Sequence, residues 1–100
     1  MADRLGQEAL LAAAVRIFDA EPDPSGAADL VCAKGRIVVA ADPKSLRAAF
    51  KRLKKIDGYR LLVINRDDLF AANPLSIGSK AGIYDATGKT LKAPDLPRRS

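Results

Sequence analysis

The chain contains no histidine and no tryptophan. Without histidine it lacks the side chain that most often serves as a general base near neutral pH, and the commonest transition-metal ligand with it. Cysteine occurs once, as Cys32, so no intramolecular disulfide can form. A secreted domain this small would usually need such staples, which makes a cytoplasmic setting the expectation. Within its apolar run Cys32 reads as a small hydrophobe rather than a nucleophile. Aromatic residues make up 5% of the chain against 48% hydrophobic, so any core must be built from Leu, Ile, Val and Ala. No uncharged apolar run approaches the roughly 20 residues that cross a bilayer. The apolar centre of the first eighteen residues is preceded by Asp3, Arg4 and Glu8 and interrupted by Arg16, so neither a signal peptide nor a transmembrane segment is expected.

Paired carboxylates are equally scarce. Adjacent acids occur only as Asp67-Asp68, at a helix start where negative charge is favoured by the backbone N–H groups. No catalytic residue, metal site or cofactor is therefore expected, and a non-enzymatic protein is the preferred reading. The loop Ser76 to Gly82, SIGSKAG, offers a weak phosphate cradle through Ser76, Ser79 and Lys80. It lacks the glycine-lysine order, and the helix after it, that a P-loop requires.

What the chain has in abundance is positive charge in one place. The net charge of +5 divides into −4 over residues 1–33, +8 over residues 34–66 and +1 over residues 67–100. Lys44 to Ile56, KSLRAAFKRLKKI, holds six cations and no acid. Leu46, Ala49, Phe50, Leu53 and Ile56 form one apolar stripe, and at about 100° per residue the cations occupy the other face. Lys44, Lys51 and Lys55 point away from the stripe, Arg47 and Lys54 flank one side, and Arg52 flanks the other. Arg47 with Lys51 and Lys51 with Lys55 are like charges at i,i+4, which repel by a few tenths of a kcal/mol. A face shaped only for solubility would mix signs.

Helical spacing predicts a first helix over about residues 4–20, capped by Asp3 and stopped by Glu21-Pro22-Asp23-Pro24-Ser25-Gly26. Leu30 to Ala33 admits a strand, closed by a Lys34-Gly35 hairpin, or a short helix; the hairpin is preferred. Strand 37–41, helix 43–56 behind Asp42-Pro43, and strand 59–65 read as a βαβ unit. Asp67 caps one short helical turn ended by Asn73-Pro74, and residues 81–93 form a β-hairpin around Asp85-Ala86-Thr87-Gly88. The expected fold is a small single α+β domain over 1–93, with an N-terminal helix and a mixed four- to five-stranded sheet, followed by a flexible basic tail over 94–100.

The expected function is a binding module that meets nucleic acid or another polyanion through Lys44, Arg47, Lys51, Arg52, Lys54 and Lys55. Lys34, Arg36, Arg60 and Arg66 extend the patch if they share its side. Against this stands the lack of paired aromatics for base stacking. Two alternatives remain open: a protein-interaction or regulatory subunit using the acidic first helix or a sheet edge, and binding of a phosphorylated small molecule at the 76–82 loop. An acidic protein partner and a homo-oligomer are both compatible with this charge pattern.

Overall fold

A computed structural model describes residues 4–56 and 58–93. Three helices and six strands follow in the order α1 (Gln7–Phe18), β1 (Glu21–Pro22), β2 (Leu30–Cys32), β3 (Gly35–Ala40), α2 (Leu46–Lys54), β4 (Arg60–Ile64), α3 (Leu69–Ser76), β5 (Gly82–Tyr84) and β6 (Thr90–Lys92). A 3-10 turn leads into α2 at Pro43–Ser45 and another into α3 at Arg66–Asp68. The strands form one sheet in sequence order. β3, β4 and β5 pair in parallel at its centre, and antiparallel strands flank them.

Because side chains alternate across a strand, the central strands supply two cores. Val38, Ala40, Leu62, Ile64 and Ile83 face α2 and α3, where Leu46, Phe50, Leu53, Ile56 and Ala72 close over them. Ile37, Val39, Leu61, Val63 and Tyr84 face α1 and meet Leu10 and Ala14. Burying each such Leu, Ile or Phe side chain contributes about 1.5–3 kcal/mol, which outweighs the mutual repulsion along α2. The parallel centre is thus covered on both faces, as its nearly continuous apolar runs require.

The expected α+β domain with its βαβ unit is present, with six strands rather than four or five. The extra strand is β1, a two-residue exposed edge paired with β2 where only a loop was expected. The Lys34-Gly35 hairpin forms, with Leu30 opposite Ile37. Asp42 caps the entry to α2, its carboxylate accepting from the Ser45 N–H at 3.0 Å and the Ser45 hydroxyl at 3.1 Å. The C-terminal hairpin turns at Asp85, whose Oδ1 accepts from the Thr87 N–H at 2.8 Å, the Thr87 hydroxyl at 2.6 Å and the Lys89 N–H at 3.0 Å.

Two helices differ from expectation. α1 starts at Gln7 behind Gly6 instead of near residue 4. Its would-be first turn lies across the end of the sheet instead, where Asn65 Oδ1 accepts from the Leu5 N–H at 2.9 Å and the Arg4 guanidinium forks onto Asp68 at 2.8 and 2.9 Å. Asp3, the expected cap, and the 94–100 tail lie outside the described residues. The helix after Asp67 runs through Asn73-Pro74 to Ser76. Proline's φ is compatible with a helix and only one backbone bond is forfeited, while the Ser76 hydroxyl donates to the Asn73 carbonyl at 2.6 Å. With α3 in place, β4-α3-β5 becomes a second crossover between parallel strands.

Candidate polyanion-binding face

α2 is held by its apolar stripe, with Leu46, Ala49, Phe50 and Leu53 buried, and this fixes which way its cations point. Lys44, Arg47, Lys51, Lys54 and Lys55 are all exposed. Ion pairs among the described residues join Arg4 to Asp68, Arg36 to Asp23 and Arg52 to Asp29, and none involves those five cations. Towards α3, Arg47, Lys51 and Lys54 line a groove of about 420 Å³ floored by Phe50 and Leu75. One helix face therefore presents a single-signed field over an apolar floor, and among the described residues no carboxylate forms an ion pair with it.

The other expected cations are placed differently. Arg52, on the far side of α2, donates to Asp29 Oδ1 at 2.9 Å, and Asp29 Oδ2 accepts from the Val39 N–H at 2.8 Å. Arg36 donates to Asp23 Oδ2 at 3.1 Å. Burial alone would raise the Asp23 pKa, but bonds from the Ser25 hydroxyl, the Ser25 and Ala28 N–H groups and the charge of Arg36 outweigh it, bringing it to about 2. Arg60 donates to the carbonyls of Ile56 at 2.7 Å, just past α2, of Lys54 at 3.4 Å, at its last turn, and of Ser79 at 2.8 Å, so it ties the exit of α2 to the 76–82 loop. Lys34 stands 5.9 Å over the Phe18 ring, on the α1 side of the sheet. Arg66 lies at the carboxyl ends of the strands, apart from the α2 groove.

In the 76–82 loop the two serines are buried. Ser79 donates its hydroxyl to the Ser76 carbonyl at 2.6 Å and accepts from the Ala81 N–H. Lys92 donates to the Ser76 hydroxyl. Lys80, with φ of 61°, is exposed. These hydroxyls hold the loop's own shape, and only Lys80 of the three faces outward.

A second cavity, of about 250 Å³, opens at the carboxyl ends of β4 and β5, where open α/β sheets commonly bind ligands. Arg4, Arg66, Lys89 and Thr87 line it together with Asn65, Asp67 and Asp85. Its charges are of both signs. Burial would push the Asp85 carboxyl up, but the Thr87 and Lys89 bonds and the nearby positive charge of Arg66 hold it below the usual carboxylate range. Of these residues only Arg66 was expected from the sequence as a binding cation, while Asp67, Asp85 and Thr87 were expected as cap and turn residues. The available signal was positional: Asn65 and Asp85 are the first polar residues after apolar strand runs.

The fold and its cationic face define a small α+β domain with one strongly basic helix. Comparison with protein-family models, with curated proteins and with solved structures finds no match to this chain.

Proposed function

We propose that this protein is a non-enzymatic cytoplasmic module that binds nucleic acid or a similar polyanion through the outer face of α2. The observation that carries this reading is the contrast among its cations. Arg36 and Arg52 are matched by Asp23 and Asp29, whereas Lys44, Arg47, Lys51, Lys54 and Lys55 share one exposed face with no ion-pair partner among the described residues. Neutralising phosphates with such side chains releases condensed counterions, so affinity should fall steeply with salt and depend little on base sequence. If all five cations contact phosphates, the slope of log K against log salt is about −3.5 for a single strand and about −4.5 for a duplex.

Fluorescence anisotropy with labelled oligonucleotides at rising salt tests this. The expected result is binding at low ionic strength, and at least a tenfold loss in the triple variant Arg47→Glu, Lys51→Glu, Lys54→Glu with its circular dichroism unchanged. Absence of binding at low salt, or indifference to the triple reversal, would overturn the reading.

A further inference from the structure

Phe70 is 94% exposed and Ile77 75% exposed, in a chain with only three phenylalanines. Burial of a phenylalanine ring contributes about 1.5–3 kcal/mol, so a ring left almost wholly in water is a feature to be explained. Phe70 is not isolated. Phe70 and Pro74 stand at i and i+4, opposite the buried Ala72 and Ser76, which places them along the outward side of α3, and the exposed Ile77 follows directly as its C-cap.

This apolar stripe neighbours the cationic face. α2 and α3 cover the same side of the sheet. Each links the carboxyl end of one parallel strand to the amino end of the next, so the two helices run in the same direction. Phe70 therefore opens α3 at the end of the layer where Lys44 and Arg47 open α2, and Ile77 closes it at the end held by Lys54 and Lys55. Leu75, on the flank of α3 between this stripe and the sheet, lines the groove with Arg47, Lys51 and Lys54, so the stripe lies on the outer side of the helix that borders the groove. The layer presents a row of cations beside a row of apolar groups headed by an exposed aromatic ring.

We infer that the polyanion bound here is a single-stranded nucleic acid, with a base stacked on Phe70 and its phosphates on Arg47, Lys51 and Lys54. The inference rests on the polyanion reading and adds strand type to it. Single strands offer phosphates and unpaired π-faces side by side, and stacking on an aromatic side chain tolerates any base. A duplex keeps its bases stacked inside, so an aromatic beside the phosphate-binding cations would meet only the sugar-phosphate rim.

The test compares a labelled oligouridine with a duplex of equal length, using the wild type, Phe70→Ala, Phe70→Tyr and the triple charge reversal. Because the ring is so exposed, Phe70→Ala should leave the melting temperature unchanged. It should weaken oligouridine binding by roughly tenfold, within the range for loss of one stacked base, leave the weaker duplex binding and the salt slope as they were, and be rescued by Phe70→Tyr. Wild-type affinity of Phe70→Ala for oligouridine, or a duplex bound as tightly as the single strand, would overturn the inference. So would a Phe70-dependent capture of anionic vesicles or of an acidic amphipathic peptide that exceeds oligouridine binding. If the triple reversal abolishes nucleic-acid binding while Phe70→Ala does not affect it, strand selectivity falls and the polyanion reading stands. If no nucleic acid binds at low salt, both fall.

Discussion

Gly35, at the first position of β3, offers a sharp test of how the parallel centre is assembled. Its φ is +147°, and a Cβ placed there would lie 2.4 Å from the Tyr59 carbonyl oxygen and 2.8 Å from the Tyr59 Cβ. The obstacle is largely backbone, so no rotamer change relieves it. The adjacent Arg36 N–H donates to that same Tyr59 carbonyl at 3.2 Å, which ties the start of β3 to the residue just before β4. A methyl at Gly35 must push the two chains apart where their pairing begins. Positive-φ strain for a non-glycine residue costs about 1–2 kcal/mol, and overpacking adds about 1–3 kcal/mol. Gly35→Ala should therefore lose about 2–5 kcal/mol. With a urea m-value near the low end of the range for small domains, about 1–1.5 kcal/mol/M, the midpoint falls by about 1.3–5 M. Gly26→Ala is the control, because its φ is +74° and nothing lies within 4 Å of the added methyl. It should show the strain alone. Equal midpoint shifts for the two variants in urea denaturation would refute the close approach of β3 to Tyr59.

Two further perturbations separate structural charges from binding charges. Asp29→Ala leaves the buried-strand N–H of Val39 without its acceptor and should cost about 1–3 kcal/mol; Arg52→Ala removes only a half-exposed ion-pair partner, costs under about 1 kcal/mol, and should leave oligonucleotide affinity unchanged. Urea midpoints of the two variants check the order, and an Arg52→Ala loss as large as that of Asp29→Ala would contradict it. Asp23, held at about 2 by its donors and Arg36, has a folded pKa below its unfolded value, so its stabilisation is complete above about pH 4 and is lost as pH falls towards 2. Asp23→Asn should flatten the fall in melting temperature between those limits, and an unchanged acid profile would show that Asp23 does not drive it.

The elements that could be read from the sequence were those in which one pattern dominated. The i, i+3, i+4, i+7 stripe of α2 and the apolar runs of β3 and β4 each bury a whole face, so their periodicity survived folding intact. α3 was underestimated because its outward side is apolar: Phe70 and Ile77 blur the alternation that marks an amphipathic helix, and Pro74 suggested a stop. β1 was missed because two exposed residues carry no period. For the candidate site, angle arithmetic on α2 showed where its cations point. It could not show which of them are neutralised, since Asp29 lies 23 residues from Arg52 and Asp23 lies 13 from Arg36. The exposed ring of Phe70 was likewise invisible, because exposure depends on which neighbours pack against α3.

The shortness of β1 has a bearing on how the protein behaves at high concentration. A sheet's outer strand normally displays a row of free main-chain donors and acceptors on which another molecule can add its own strand. On this side of the sheet that row is two residues long, and Pro22 has no N–H to offer. Pro22 thus denies a neighbouring chain a template, so crowded copies of the protein have little main-chain surface at this edge on which to grow a fibre.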